Sequence, residues 1–347
     1  MRRRYFLGVL MAQAACVRTA QTAVAKAARW LWKQQAGDGG WHSHTYGLLR
    51  SGQSLTPFVL DALLQVPSSE VPVPASQVDR AIAFIRRNTR PDGSLGMADP
   101  GIPDYPNYST SLAVSAMCRA GRVELARPMV EYLRRHQFTE QDGWTKSDAA
   151  YGAWGMGGEL RTPPDTGHVD LSMTRYVLEA LRAAGIGDGD AVFERAGVYL
   201  SRLQSPDGGF FFSTTEFDTN KAGHDGQRFR SYGTTTADGI LALLATGRGP
   251  QDAGVMAARS WLAARHHDMA VPGFIGEAYQ RWPRGLAFYY AAASASAFRA
   301  LRIDGGKGVE EGLMRTQRGD GSWSNPENLV KEDDPLIATP FALRALV

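Results

Sequence analysis

The sequence predicts an all-α protein built from six helix-pair repeats, and two recurrent elements support that prediction. A nine-residue frame, TPFVLDALL from Thr56, returns as TPFALRALV from Thr339, with four weaker copies between them. Each copy follows a helix that ends in a Gly-rich turn. Self-similarity at long spacing is typical of repeat architectures, and no segment shows the alternation of a half-buried strand. Each repeat is therefore predicted to be helix, turn, loop and helix.

The copies of the frame share a Ser or Thr followed by an apolar helical segment. They begin at Thr56, Thr110, Thr174, Thr236, Ser294 and Thr339. Where Pro follows, the Thr hydroxyl is expected to cap a free backbone N–H, and Pro fits the first helical position. We expect each frame to open a buried helix.

The turn before each frame ends the preceding helix. In repeat one, glycines between Gly37 and Gly40 supply residues that tolerate positive φ, and the turn closes on Trp41. The other closing residues are Leu95, Trp144, Phe210, Phe274 and Trp323. The loops from closing residue to frame are long in repeats three and four, which favours a functional role for them.

Six helix pairs can form an open solenoid or a closed ring. The last frame runs to Val347, and no polar capping repeat follows it. Its apolar face therefore needs another element to cover it, for which the first repeat is the candidate. This favours a closed ring.

The order of Gln, Asp-Gly-Gly or Asp-Gly-Ser, then Trp or Phe, before a Thr-headed helix resembles the QW-type repeat of the squalene-hopene cyclase and prenyltransferase family. The resemblance covers residues 27–347, and residues 230–247 are similar to a C-terminal repeat of the bacterial cyclases. It implies a single (α/α)6 toroid over residues 24–347. The frame helices would lie inside the ring and the helices before the turns outside.

Residues 1–23 are predicted to be an export signal. Arg3-Arg4-Tyr5-Phe6-Leu7 resembles the twin-arginine pattern and precedes an apolar run from Gly8 to Cys16 that is too short to span a bilayer. The sequence is compatible with cleavage of the signal near Ala14 and, alternatively, with lipidation of Cys16. The alternative is that this stretch is the basic start of a helix in a cytoplasmic protein. If replacement of Arg3 and Arg4 by lysine keeps the protein inside the cell, the export signal is supported.

Composition excludes several classes of protein. The chain has 347 residues, and 38 Lys plus Arg against 35 Asp plus Glu leave a net charge of +3, too balanced for a nucleic-acid partner. Two cysteines, Cys16 and Cys118, cannot form a disulfide framework or a cysteine-based zinc cluster. Stability must come from packing.

The frames also point to a candidate acid. In a ring of parallel inner helices, the N-terminal ends converge on one mouth and add their partial positive charges there. Two residues after the start of the frame, only Asp238 is charged, and four residues before the start, only Asp170 is charged. Asp238 is the tentative catalytic acid and Asp170 a tentative second carboxylate. The structural alternative is that Asp238 is a first-turn carboxylate favoured by the helix dipole.

Aromatic residues and one histidine are predicted to line a ligand cavity at this mouth. They are Tyr108, His168, Tyr176, Tyr232, Trp282, Tyr289 and Tyr290. Aromatic rings can stabilise a carbocation through their quadrupoles. The alternative is that these rings simply fill the hole of a small toroid.

The chain departs from the family in two respects. The cyclases carry Asp-x-Asp-Asp at the head of an inner helix, whereas TTADG keeps Asp238 alone, without the acidic neighbours that strengthen the cyclase acid. The zinc-dependent prenyltransferases bind metal through Asp, Cys and His, but Cys118 has no such partner in sequence. In His266-His267-Asp268, adjacent helical side chains point about 100° apart. No metal and no cofactor are predicted.

Three functions remain open at this stage. The first is a terpenoid-cyclase-like enzyme that acts on an isoprenoid or other hydrophobic small molecule, with Asp238 as proton donor. The second is a non-catalytic exported module that binds a lipid or a protein. The third is a carbohydrate-active enzyme that uses Asp170 and Asp238 as paired carboxylates. Peripheral membrane contact and the oligomeric state are left open.

Overall fold

The chain folds as an (α/α)6 toroid, as predicted. The computed structural model describes residues 20–96, 105–226, 228–305 and 307–347. The outer helices are α1 (20–33), α3 (Ala75–Asn88), α5 (Val123–Arg135), α7 (Ala191–Leu203), α9 (Ala253–Ala263) and α12 (Lys307–Thr316). The inner helices are α2 (Leu55–Leu63), α4 (Pro106–Arg119), α6 (Leu171–Ala183), α8 (Gly233–Ala245), α11 (Ala287–Leu301) and α13 (Pro335–Leu346).

Smaller elements lie in the loops. They are the short helix α10 (Trp282–Gly285), the 3-10 turns Gly47–Leu49, Glu140–Asp142, Phe217–Thr219 and Glu277–Tyr279, and an antiparallel hairpin of β1 (His224–Asp225) and β2 (Arg228–Phe229). The twin-arginine pattern lies outside the described residues and stays a prediction, and the first described residue, Ala20, already belongs to α1. Across the described ranges, no helix has the length and apolar character needed to span a bilayer.

The inner helices form a closed ring. Each packs against the next in the order α2, α4, α6, α8, α11 and α13, and α13 returns to pack against α2. They are buried around almost their whole circumference, because each contacts a neighbour on both sides and an outer helix behind. The outer helices bury one face only, as amphipathic helices do. The prediction of a ring rather than a solenoid is confirmed.

The frame threonines do not cap the inner helices, contrary to the prediction. The helices begin before the frame: α8 starts at Gly233 and α13 at Pro335, and Asp334 supplies the cap of α13. The Thr hydroxyl instead accepts a hydrogen bond from the backbone N–H of the closing residue, at 3.0 Å from Trp41 to Thr56. The same bond recurs from Leu95 to Thr110, Phe210 to Thr236 and Trp323 to Thr339. In these four repeats Thr fastens the turn to its inner helix, whereas Thr174 and Ser294 bond carbonyls of their own helix, Asp170 O and Tyr290 O.

The glutamine before each strong turn joins neighbouring repeats. Gln35 Nε2 donates both to Gly39 O within its own turn, at 3.0 Å, and to Gln77 O of the next outer helix, at 2.8 Å. The same pair of bonds recurs at Gln137, Gln204 and Gln317. Gln317 bonds Ala23 O of α1, so the sixth repeat is joined to the first. One amide therefore bonds a carbonyl of its own turn and a carbonyl of the next outer helix, which ties the two repeats together.

Repeat three closes on Trp154, not on Trp144 as predicted. The indole of Trp154 donates to Leu133 O at 2.6 Å, as the indole of Trp41 donates to Leu31 O at 2.7 Å. Residues 139–151 form an inserted loop whose DGW sequence resembles the turn without occupying its place. The loop between closing residue and frame is therefore shorter than the sequence suggested.

Candidate functional site

A cavity of about 500 Å³ opens at the mouth where the N-terminal parts of the inner helices meet. All six inner helices, or the residues just before them, contribute to its wall, together with the loop after α7 and the loop before α13. Its apolar and aromatic lining is Leu48, Leu49, Leu55, Phe58, Tyr105, Tyr108, Met156, Met173, Tyr176, Phe212, Tyr232, Leu286, Tyr289, Leu329, Val330, Ile337 and Phe341. Its polar lining is Ser54, His168, Asp170, Ser172, Thr219, Lys221, Thr234, Thr235, Asp238 and Lys331. The volume is in the range of small-molecule sites.

An aromatic septum closes the floor of this cavity. It consists of Phe58, Tyr108, Tyr176, Tyr289 and Phe341, whose rings contact one another edge to face at centroid distances of 4.8 to 5.2 Å. Beyond it lies a second chamber of about 270 Å³, near the C-terminal parts of the same helices. Its wall carries Asp61, Arg119, Arg175, Glu179 and Arg344. The hole of the toroid is thus divided into a mostly apolar chamber and a charged one.

Asp238 lies at the septum and faces the larger cavity. Its side chain is almost completely buried, and both carboxyl oxygens have partners. Tyr289 donates its hydroxyl to Oδ2 at 2.6 Å, and Arg175 donates Nη1 to Oδ1 at 3.1 Å. Arg175 also pairs with Glu179 at 3.0 Å. The ion-pair chain from Asp238 to Glu179 therefore crosses from one chamber to the other.

Burial raises the pKa of Asp238 to about 6, although Arg175 and the hydroxyl of Tyr289 act in the opposite direction. A carboxyl group with this pKa is protonated in a substantial fraction of molecules in mildly acidic solution. Asp238 lies in the second turn of α8, which begins at Gly233. It is not the first-turn carboxylate of the structural alternative, and the helix dipole acts on it less than the sequence suggested.

Asp170 has the opposite environment. It is the N-cap of α6, where Oδ1 accepts bonds from Met173 N at 2.8 Å and Ser172 Oγ at 2.7 Å, and Oδ2 lies 2.7 Å from His168 Nε2. Burial opposes its ionisation, but the bond and charge of His168 outweigh burial, and the pKa of Asp170 is lowered. Asp170 is held as a carboxylate. The two carboxyl groups proposed from sequence therefore differ in protonation, which is how one site separates acid from base.

His168 lies between two carboxylates. Besides Asp170, it bonds Glu216 through Nδ1, and Glu216 comes from the loop after α7. Burial lowers the pKa of His168, but the two carboxylates outweigh burial and raise it. The imidazolium form is favoured, so His168 fastens the loop to the start of α6 rather than accepting protons.

The structure brings most of the predicted site residues together. Asp170, Asp238, Tyr108, His168, Tyr176, Tyr232 and Tyr289 all line the larger cavity. Tyr290 and Trp282 do not belong to its wall. Tyr290 follows Tyr289 on α11 and therefore points about 100° away from it, and its hydroxyl lies 2.7 Å from His266 Nδ1 behind the ring. Trp282 stacks on Phe274 in the loop before α11.

Three contributors were missed from the sequence: Arg175, Glu216 and Lys221. Arg175 is the first charged residue of an otherwise apolar part of its frame, TRYVLEALR, and this could have drawn notice. Glu216 and Lys221 come from a loop, and no periodicity predicts where a loop side chain points. Within the described ranges, no group of three metal-binding side chains lies close enough to hold an ion, and His266 bonds Tyr290 instead.

Comparison with known proteins identifies the fold. No protein-family model matches the sequence, and no curated protein matches it. A variant of the type II terpene cyclase MstE from Scytonema, in complex with its substrate geranylgeranyl dihydroxybenzoate, matches with a TM-score of 0.63 and 14% identity, over 96% of this chain and 97% of that one. Unsaturated glucuronyl hydrolase from Bacillus sp. GL1 matches with a TM-score of 0.56 and 15% identity, over 95% and 96%. A D-mannose isomerase matches with a TM-score of 0.59 and 12% identity, over 94% of this chain and 96% of that one.

The toroid is therefore shared with a terpene cyclase and with carbohydrate enzymes. At these identities, structural similarity shows the fold alone, and this fold hosts unrelated chemistries. The function has to be argued from the site.

Proposed function

We propose that this protein is a terpenoid-cyclase-like enzyme that protonates an isoprenoid or similar hydrophobic alkene, with Asp238 as the acid. The observation that carries the proposal is a buried carboxyl group with a pKa of about 6 at the floor of an aromatic, mostly apolar cavity. A cavity with this lining suits a hydrocarbon chain. The Scytonema cyclase, which binds a geranylgeranyl compound, has the same architecture.

The proposed reaction begins with proton transfer. The O–H bond of protonated Asp238 breaks, a C–H bond forms at one alkene carbon, and the positive charge moves to the other. The next double bond attacks this cation and closes a ring. The final cation then transfers a proton to water, which leaves an isomer of the substrate, and Asp238 regains a proton from water, so the balance needs no cofactor.

Arg175 and Tyr289 support this step. When Asp238 gives up its proton, it becomes a carboxylate with two donors already in place at 3.1 and 2.6 Å. Donors that are aligned before the reaction stabilise the charge that develops in it. They supply the support that the cyclases obtain from neighbouring acidic residues and that TTADG lacks. The rings of Phe58, Tyr176 and Tyr232 line the same cavity and can stabilise the cation.

The carbohydrate hypothesis has less support in this cavity. A sugar site needs several polar groups beside its aromatic residues, and here the inward polar groups are largely engaged with one another. Asp170 is bound to His168, Ser172 and Met173, and its lowered pKa does not suit a general acid. Paired carboxylates in the sense of a glycosidase are not favoured.

Asp238→Asn tests the proposal. Asn keeps the shape of the side chain and can still bond Arg175 and Tyr289, but it has no acidic proton. We expect turnover of C15 to C30 polyprenes, followed by mass spectrometry of the products, to fall at least about 100-fold. Binding and the melting temperature should change little.

Asp61→Asn is the matched control. Asp61 is also a buried carboxylate on an inner helix, paired with Arg119 at 2.9 Å and Arg344 at 3.0 Å, but it lines the second chamber only. Its replacement should leave turnover in place. If the wild type converts no polyprene while both it and the Asp238→Asn variant bind one, the non-catalytic lipid-binding module is the correct function.

A further inference from the structure

Two lysines line the larger cavity without a counter-ion. Lys221 lies on the loop that carries Glu216, and Lys331 lies on the loop before α13. Among the residues that the structure describes, the side-chain ammonium group of neither lysine makes a hydrogen bond or an ion pair. Both ammonium groups lie near aromatic rings, Lys221 beside Phe212 and Trp282 and Lys331 beside Tyr46. The acidic residues of the cavity are engaged elsewhere, Asp170 by His168 and Asp238 by Arg175.

Lys221 is the more confined of the two. Its Nζ lies 3.6 Å from the ring centroid of Phe212 and 5.8 Å from that of Trp282. A ring face stabilises a cation but leaves its other N–H donors unsatisfied. Burial lowers the pKa of Lys221, and the more distant charges of Asp170 and Asp238 only partly oppose this. A confined cation without a hydrogen-bonded anion is costly unless a ligand supplies one.

Two parts of the cavity wall therefore differ in chemistry. The floor presents Asp238 among aromatic rings, whereas the loop side presents Lys221 beside Phe212. A ligand that satisfies both has an apolar chain and a single anionic end. No cluster of acidic residues that could hold a divalent ion lies within the described ranges, and such an ion is what a diphosphate usually requires. One confined ammonium group suits a singly charged head.

We propose that the ligand of this cavity is an amphiphile with a carboxylate head group, which Lys221 binds, and an apolar tail that reaches toward Asp238. This inference rests on the proposed ligand site, but it does not require that the site be catalytic. A tail in this orientation can bring one of its double bonds next to the acid. Lys331 lines the same cavity from another loop and lies beside Tyr46 rather than Phe212.

Binding of paired ligands tests the inference. Geranylgeranoic acid and geranylgeraniol share one C20 chain and differ in the charge of the head, and calorimetric titration at neutral pH gives the Kd of each. The wild type should bind the acid at least about tenfold more tightly than the alcohol. Lys221→Gln should abolish this preference and leave the alcohol unchanged, while Lys221→Arg should retain it.

Lys33→Gln, at the exposed end of α1, is the matched control and should retain the preference. Equal binding of acid and alcohol to the wild type would overturn the inference, as would a preference that survives Lys221→Gln. Geranylgeranyl phosphate separates the two kinds of anion: if it binds tenfold more tightly than the acid, a phosphate head replaces the carboxylate. Unchanged melting temperatures show that each variant is folded.

The two proposals can fail separately. If the acid is preferred through Lys221 but no polyprene is converted, the head-group inference stands and the enzyme proposal fails. If Asp238-dependent turnover occurs without any preference for the acid, the enzyme proposal stands and the head-group inference fails.

Discussion

Asp238 is held between effects of opposite sign. Burial raises its pKa, whereas the charge of Arg175 and the hydroxyl of Tyr289 lower it, with a result of about 6. If Asp238 were buried without these partners, its pKa would be higher and it would be a weaker acid. If it were paired with them in water, its pKa would be low and it would stay ionised near neutral pH. The opposing effects leave Asp238 with a carboxyl group that is protonated in mildly acidic solution and can still donate that proton.

Arg175→Met tests this balance. Loss of the cation that lowers the pKa of Asp238 should move the pKa upward by about 1 to 3 units. Since Asp238 acts in its protonated form, kcat/KM of the wild type should fall as pH rises through about 6, and in the variant this fall should occur at higher pH. The maximal rate should also fall, because the carboxylate formed on proton transfer has lost a donor.

The pH dependence of kcat/KM on a polyprene measures both effects. Arg119→Met is the control, because Arg119 pairs with Asp61 in the second chamber and not with Asp238. Its profile should coincide with that of the wild type. An unshifted profile in Arg175→Met would show that Asp238 is not the group whose protonation limits the reaction.

At the scale of elements, loops and turns decide how the helices are held. The acidic run Glu332-Asp333-Asp334 looks like one cluster in sequence, but its members have three separate partners. Glu332 turns inward and accepts bonds from Phe288 N at 3.1 Å and Tyr289 N at 2.7 Å, at the start of α11. Asp333 accepts from Tyr46 at 2.5 Å, and Asp334 caps α13.

Burial raises the pKa of Glu332 to about 7. Lys331 adopts a φ of 66°, in the left-handed region that side chains seldom occupy. This conformation turns Glu332 toward α11 while Lys331 faces the cavity. Glu332 therefore positions the helix that carries Tyr289, the partner of Asp238.

Gln317→Ala tests the junction between repeats. The amide of Gln317 bonds Ala23 O and Gly321 O, both at 2.9 Å, and its loss leaves two partly buried carbonyl groups without that donor. We expect the free energy of unfolding to fall by about 1 to 3 kcal/mol in urea titrations. Gln34→Ala is the matched control, since Gln34 is exposed and makes one long bond of 3.4 Å to Trp30 O, and it should cost no more than about 0.5 kcal/mol. Equal losses would mean that the amide does not hold the repeats together.

At the scale of the whole molecule, closure of the ring makes each repeat depend on two neighbours. The first and last inner helices meet at two contacts. The ring centroids of Phe58 and Phe341 are 4.8 Å apart, and Arg344 Nη2 lies 3.0 Å from Asp61 Oδ2. Ser43 adds a bond of 2.5 Å to Asp334. These contacts join residues almost 300 positions apart in the chain, so the ring closes only when both ends have folded.

Deletion of residues 336–347 tests closure. It removes most of α13, exposes apolar faces of α2 and α11, and leaves Asp61 without Arg344. We expect a loss of more than about 5 kcal/mol, comparable with the whole stability of an ordinary domain. Thermal unfolding followed by circular dichroism should show one cooperative shift that includes the first repeat. Removal of Val347 alone should change little, and an unchanged melting temperature after the larger deletion would favour an open solenoid.

The sequence alone predicted an all-α fold of six helix pairs, because these properties depend on local patterns: a repeated frame, glycines in turns and apolar residues at helical spacing. The inner and outer roles of the helices were implied by the resemblance to the QW-type repeat family. It also singled out Asp238, because a charge in an apolar inner frame is visible without coordinates. The sequence was misleading in repeat three. Its DGW segment at Trp144 predicted the closing residue of the turn, but Trp154 occupies that position.

Only the tertiary structure decided what surrounds Asp238. Arg175, Tyr289 and Asp238 come from three different helices, and a pKa depends on the distances between such groups and on their burial. Four of the frame threonines likewise fasten the turns, which the sequence did not show because their partners lie 15 or more residues away in the chain. Lys221 lines the cavity because of the course of the loop that carries it, and the periodicity of the sequence does not predict the course of a loop. Local pattern specifies which helices form and which face they bury, whereas the closed ring determines which side chains meet inside it.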